Sequence, residues 1–180
     1  MSALPASPPV VFETARLRCR WWTDGDLRAI YEVYADAETV RYVGDGQPIT
    51  MAQCQTWLDV TAANYARRGY GMYTLEDRLT GEIVGFCGLV HPGGQDEPEI
   101  KYALRRARWG AGLAGELVPA LLAYGARAHA LDRVIATVHP DNLASRRVLE
   151  RAGLSLRAHL TEEDGSGTLV YAWAAPPPSR

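Results

Sequence analysis

The residues best placed to do chemistry lie in one stretch, E-I-K-Y-A-L-R-R-A-R-W-G-A-G-L-A-G-E, from Glu99 to Glu116. Its first half is a short apolar run with the period of a strand. Its second half is a turn with glycines at 110, 112 and 115, and a long helical pattern begins inside it. A strand that runs through a glycine-bearing turn straight into a helix leaves several backbone N–H groups unpaired and pointing one way, with the helix dipole behind them. Such a turn holds an anion, usually a phosphate. A second polar group is P-D-N-L-A-S, where Asn142 and Ser145 open another helical pattern. Helix capping alone explains both residues. The histidines His91, His129, His139 and His159 are scattered and form no ligand set, so no metal is expected.

These residues need elements to hold them. Alternation around Leu17 and Cys19 predicts one strand over Val10–Trp22. Thr23 or Asp24 then caps a helix, with Asp26 in its first turn and Leu27, Ile30, Tyr31 and Tyr34 on one face, reaching about Asp36. Ala37–Thr50 reads as irregular, and Thr50 caps a second helix carrying Cys54, Trp57, Leu58 and Thr61 at helical spacing. Tyr70–Leu75 and Glu82–Val90 read as a hairpin, and the polar loop H-P-G-G-Q-D-E-P leads into Glu99. After the glycine turn, Leu113, Leu117, Leu121, Tyr124 and Ala128 mark a helix to about Ala130, with Pro119 placed to bend it. Arg133–His139 is a strand, the helix holding Val148 and Leu149 stops at Gly153, and Leu154–Leu160 with Thr168–Trp173 forms a last hairpin.

The fold class is therefore α/β with α+β character. A mixed, mostly antiparallel sheet of about six to seven strands is expected, flanked by about four helices. One domain spans 10–174, between an arm at 1–9 and a tail at 175–180 that are both expected to be loose.

Composition sets the limits. A chain of 180 residues that is 47% hydrophobic and 22% charged is ordinary globular material with room for a sizeable core. Its net charge of -2 offers no basic excess for nucleic acid or an acidic membrane surface, so an anionic ligand must be met by a local site. No apolar run approaches the roughly 18–20 residues of a membrane span. Cys19, Cys54 and Cys87 are widely spaced and read as buried thiols of a reducing compartment. The start, M-S-A-L-P-A-S-P-P, lacks basic residues and is broken by prolines, so no secretory signal is expected and the cytoplasm is the expected location.

Four blocks, in order and spacing, carry a resemblance: F-E-T-A-R-L-R-C-R, G-E-I-V-G-F-C-G-L, W-G-A-G-L-A-G-E and V-H-P-D-N-L-A-S-R-R-V-L-E-R-A-G-L. Over nearly its whole length the sequence resembles the GNAT acyl-CoA N-acyltransferases, and within them the branch of ribosomal-protein N-terminal acetyltransferases of the RimJ/RimL type. The family's cofactor turn reads Gln or Arg, two residues, Gly, one residue, Gly or Ala. Here Trp109, Gly112 and Ala114 stand at those positions.

The resemblance implies that the backbone of Gly110, Ala111, Gly112, Leu113, Ala114 and Gly115 holds the pyrophosphate of acetyl-CoA. It implies that the Tyr102 N–H points at the thioester carbonyl, that Leu104 bonds the pantetheine, and that Asn142 adds a contact to the same arm. Many family members carry a tyrosine seven residues after this asparagine to protonate the leaving thiolate; here that position is Leu149. Ser145 is then the nearest hydroxyl on the helix and the branch's candidate proton donor, with simple capping as the alternative. Glu99 stands near where some relatives keep a basic carboxylate, acting directly or through water, with a carboxylate at the strand entrance that only orients the loop as the alternative. Without a strong base, α-amines are the better acceptors: a group of pKa about 8 is roughly a tenth neutral at pH 7, a lysine near 10.4 under about one part in a thousand.

Arg41 and Tyr42 are acceptor-side candidates by the same resemblance, as is Trp57 unless it is core. Arg105, Arg106, Arg108, Arg146 and Arg147 read mostly as a solvated rim, with one or two of them as candidates to meet the phosphates at the adenosine end. The implied function is acetyl transfer from acetyl-CoA to a primary amine on a peptide N-terminus or a small molecule. A non-catalytic acyl-CoA-binding sensor or assembly module is the alternative. Neither nucleic acid nor membrane is implied as a partner, and monomer and homodimer both remain open.

Overall fold

The computed structural model describes residues 4–5, 7–161 and 165–176. Eight strands form one sheet: β1 (Val10–Glu13), β2 (Leu17–Trp21), β3 (Met72–Asp77), β4 (Ile83–Val90), β5 (Glu99–Leu104), β6 (Arg133–Val138), β7 (Ser155–Thr161) and β8 (Gly167–Ala174), in the order β1-β2-β3-β4-β5-β6-β8-β7. The helices are α1 (Leu27–Tyr34), α2 (Ala37–Val40), α3 (Met51–Arg68), α4 (Leu113–His129) and α5 (Leu143–Arg151). The expected α/β mixed architecture is present, with one strand and one helix more than the sequence indicated. The extra strand arises because Val10–Trp22 is not one strand but a hairpin. Thr14 makes the turn: its N–H donates to the Leu17 carbonyl (2.8 Å), and its Oγ1 accepts from the Leu17 N–H (3.0 Å). The extra helix is the single turn α2, inside the segment expected to be irregular, where Asp36 accepts from the N–H groups of Glu38 and Thr39 (3.0 and 3.1 Å).

Tyr124 of α4 lies 5.8 Å from Phe12 and 5.9 Å from Tyr73, ring centre to ring centre, while Tyr34 of α1 stacks 6.1 Å from Phe86. Tyr73 pairs with Cys87 across β3 and β4, so Phe86, one residue on, belongs to the opposite face. α4 and α1 therefore cover opposite sides of the sheet. Leu4 is buried with this core, and the Pro9 carbonyl accepts from the Trp21 N–H (3.1 Å). The proline-rich residues 177–180 and most of the final hairpin's turn, 162–164, fall outside the described residues. Among those described, no helix is long and apolar enough to cross a membrane.

Beneath α1, a buried polar knot ties three elements together. Arg20 donates to both oxygens of Asp26 (2.8 and 2.9 Å) and to Glu76 (2.6 Å), and Asp26 also accepts from the Thr23 N–H and Thr74 Oγ1. Burial alone would raise the Asp26 carboxyl. Arg20, Thr23 and Thr74 outweigh it and hold the group below its ordinary value.

The feature that matters for function is the junction of β5 and β6, the sheet's parallel pair. Its register contains one couple, Glu99 with Ile135, next to a bond from the Ile135 N–H to the Pro98 carbonyl (2.9 Å). Beyond that couple the two strands have no further backbone register, and they part.

Candidate active site

Which way β5 turns its backbone follows from its two ends. The Pro98 carbonyl points to β6, and the Arg105 N–H donates to the Val84 carbonyl at the β4 side (2.8 Å). Strand backbone groups alternate sides residue by residue. The N–H groups of Tyr102 and Leu104 therefore face the β6 side, beyond the single couple at which β6 pairs with β5. These are the two groups the resemblance singled out, and they line an open gap.

At the end of β5 the chain makes a turn, and the Trp109 indole N–H donates back to the Leu104 carbonyl (2.9 Å), pinning the turn to the strand. Gly110 and Gly112 adopt left-handed conformations (φ 73° and 77°), open to glycine and costly to other residues. Gly112 is the N-cap of α4 and offers no capping side chain. The first bond into the helix comes from the Glu116 N–H to the Gly112 carbonyl (3.3 Å), so the N–H groups of Leu113, Ala114 and Gly115 precede it and are uncapped. A Cβ at Gly110 or Gly115 would have nothing within 4 Å, and one at Gly112 would meet only an Arg16 nitrogen at 3.6 Å. Free donors facing open space fit a diphosphate.

Arg16 is a residue the sequence reading missed. From the β1–β2 turn its guanidinium donates to the Ala111 carbonyl (2.7 Å) and to Glu116 (2.8 Å), and its own N–H reaches the same carboxylate (2.8 Å). Burial would raise Glu116, but Thr14 and Arg16 together draw it below its ordinary value. The signal lay in the block F-E-T-A-R-L-R-C-R, whose Thr14 and Arg16 both bind Glu116. Arg105, Arg106 and Arg108, expected on the rim, are spoken for: they pair with Glu32, Asp36 and Glu82 respectively.

Across the gap, Asn142 caps α5 by accepting from the Ser145 N–H (3.2 Å). The capping expectation thus describes a bond that is present, and it leaves the Ser145 hydroxyl free for another partner. That partner is the Tyr102 hydroxyl, at 2.7 Å. Sequence reasoning had used Tyr102 for its backbone alone. Leu149, where many relatives keep a tyrosine, is 1% exposed and belongs to the core.

Glu99 is 2% exposed, and its carboxylate is fully engaged. One oxygen accepts from Lys101 Nζ and Thr137 Oγ1, the other from Gln95 Nε2 (3.4 Å). Arg41 and Tyr42 come together: the guanidinium carbon sits 5.3 Å from the Tyr42 ring centre, and that ring stacks 5.0 Å from His139 at the end of β6. His139, set aside as a scattered histidine, thus belongs with the acceptor-side candidates. Trp57 stands edge-on to buried Tyr34 at 4.9 Å, a packing contact that does not join it to the other two.

Known proteins share this arrangement of sequence and fold. A family model described as an acetyltransferase (GNAT) domain matches residues 16–155. The Bacillus subtilis (strain 168) protein named uncharacterized N-acetyltransferase YoaA is 32% identical over 145 residues, 79% of this chain and 81% of its own. Among solved structures, an acetyltransferase from Agrobacterium tumefaciens str. C58 superposes with a TM-score of 0.78 at 26% identity, over 97% of this chain and 99% of that one. An acetyltransferase from Salmonella typhimurium, described as modifying the N-terminal serine of ribosomal protein L7/L12, shares the fold with a TM-score of 0.77 at 18% identity, over 93% of this chain and all (100%) of its own. On the span of the family model and the identity to the Bacillus relative, the chain belongs to the GNAT acetyltransferase family.

Proposed function

We propose that the chain transfers the acetyl group of acetyl-CoA to a primary amine, by direct attack of the neutral amine on the thioester. The observation that carries this reading is the gap between β5 and β6. It has the Tyr102 and Leu104 N–H groups on one wall, the Ser145 hydroxyl across it, and an uncapped glycine turn where β5 ends. In this reading Leu104 binds the pantetheine, with Asn142 on the facing helix, and the backbone from Gly110 to Gly115 takes the diphosphate, Trp109 fixing the turn's position. The Tyr102 N–H meets the oxyanion as it forms, a contribution on the order of 100-fold or more in rate. Ser145 returns the proton to sulfur.

On the acceptor side this reading puts Arg41, Tyr42 and His139, which lie against one another, together with the cluster of Glu99, Lys101 and Thr137 at the start of β5. Lys101 already pairs with Glu99, so this cluster offers a polycation no unpaired carboxylate. An acceptor that is partly neutral on its own suits it better. That favours α-amines, of which roughly a tenth are neutral at pH 7, over lysine side chains. The N-terminal serine modified by the Salmonella relative is such an amine, as are free amino acids.

Thiol release from acetyl-CoA, measured against a panel of peptides, amino acids, polyamines and aminoglycosides, tests the reading. Turnover is expected, strongest with α-amines. Calorimetric binding of acetyl-CoA without thiol release to any acceptor would instead make the chain an acyl-CoA-binding module.

A further inference from the structure

We propose that the Tyr102 hydroxyl is the proton reservoir behind Ser145, so that the two side chains act as one donor to the leaving sulfur. The inference rests on the acetyl-transfer reading above and assigns Tyr102 a second role, distinct from that of its backbone.

The geometry supports it from three directions. The usual position for a donor tyrosine on α5 is closed, because Leu149 is packed into the core. The Ser145 backbone is held by its N–H bond to Asn142, which leaves the hydroxyl for another partner. The phenol of Tyr102 then reaches from β5 to that hydroxyl, 2.7 Å away, from the residue whose N–H faces the same gap. A serine hydroxyl has one proton to give and two lone pairs to accept with, so it can take a proton from Tyr102 while passing its own onward.

Chemistry favours the pair over serine alone. A serine that gives up its proton unaided becomes an alkoxide, a base comparable with hydroxide. A phenol, with an ordinary pKa of about 10, is a far stronger acid, so moving the charge to Tyr102 relieves much of that cost. Burial raises the Tyr102 phenol, partly opposed by its bond to Ser145. It therefore stays protonated at neutral pH, and part of the advantage is spent. Two neighbouring groups are engaged elsewhere: Cys87 faces it from β4 with its thiol against Cys19 (3.7 Å), and Arg146, the next residue on α5, is turned onto the Pro140 carbonyl (3.0 Å) and Tyr171.

The step balances. The amine nitrogen bonds to the thioester carbon and loses one proton to solvent. The C–S bond breaks with its electron pair on sulfur. Sulfur takes the Ser145 proton, Ser145 takes that of Tyr102, and solvent returns one to the phenolate. Acetyl amide and free thiol are the products.

Tyr102→Phe keeps the backbone N–H and the ring and removes the reservoir. Its kcat is expected to fall by about 100-fold or more, the scale of general acid catalysis, with the acetyl-CoA dissociation constant unchanged. Ser145→Ala should lose as much, and the double variant no more than either, as for groups acting as a unit. Site-specific 3-fluorotyrosine at position 102, a more acidic phenol of nearly the same shape, should move the alkaline limb of kcat to lower pH, which a purely structural hydroxyl would not do. Wild-type kcat in Tyr102→Phe, losses that multiply in the double variant, or an unmoved alkaline limb would each overturn the proposal while leaving acetyl transfer standing. Absence of thiol release by the unaltered chain with every acceptor would overturn both.

Discussion

Gly112→Ala separates two costs that the glycine turn combines. Gly112 holds a φ of 77°, and a left-handed backbone costs an L-residue roughly 1–2 kcal/mol. The added Cβ itself meets only Arg16 Nη2, at an ordinary 3.6 Å, so strain is the whole effect in the free protein. At about 2–4 °C per kcal/mol for a chain of this size, Tm should fall by about 2–8 °C. Gly153 is the control. Its φ is 90°, its Cβ would have nothing within 4 Å, and it follows the far end of α5 from Ser145. Gly153→Ala should lower Tm by a similar amount and leave acetyl-CoA binding alone. Gly112→Ala should in addition displace the phosphate from its N–H donors. A hydrogen bond to a charged group is worth about 1.5–3 kcal/mol, which is roughly 10- to 150-fold in dissociation constant at 1.4 kcal/mol per decade. Calorimetric titration of acetyl-CoA into both variants, beside thermal melts, makes the comparison. Equal affinities in the two would show that the turn at Gly112 does not hold the diphosphate.

Two further outcomes follow from charged contacts. Arg16→Ala leaves the Glu116 carboxylate facing the turn without its cation, so coenzyme affinity should drop about tenfold, more at low salt than at high salt. Adding Glu116→Gln should recover part of the loss, and titration of the double variant showing no recovery would remove Glu116 from the explanation. Asp26→Asn leaves buried Arg20 with Glu76 alone, at a cost of about 3 kcal/mol near pH 7, the low end for a broken buried pair. Because the folded Asp26 carboxyl lies below its ordinary value of about 3.9, the stability it contributes is present above that value and is lost as pH falls through the folded one. Denaturant melts of wild type and Asp26→Asn should therefore converge below about pH 4, and a constant gap down to pH 2 would refute the charge argument.

What was legible in the sequence is what is local along the chain. The glycine turn, the caps at Thr50 and Asn142, and the strand from Glu99 to Leu104 each lie within a few residues of the groups that define them, so their chemistry shows as spacing. Arg16 and Glu116 are 100 residues apart and meet only because the first strand run folds back at Thr14 and brings its turn beside α4. The same alternation of apolar residues serves one strand or two, and the side-chain bond that decides between them leaves no periodic trace. Trp57 shows the converse: its helical spacing favours core over groove, and in the fold it is partly exposed at 36% while standing edge-on to buried Tyr34.

Tyr102 and Ser145 are the clearest case of a contact hidden from spacing. They lie 43 residues apart, and each has a sufficient local explanation, one as an apolar strand residue and the other as a residue in a capped first turn. Their meeting depends on the gap itself. Where β5 and β6 part after Glu99 and Ile135, backbone pairing no longer joins the two halves of the sheet, and Tyr102 instead reaches across to the helix that follows β6. A strand that opens to admit a ligand loses ladder bonds at the place where the ligand must be oriented. At this opening the contact between the walls is made by side chains, through the Tyr102 and Ser145 hydroxyls. Alternation along β5 lets one residue turn its backbone N–H into the gap and its phenol toward the helix beyond it.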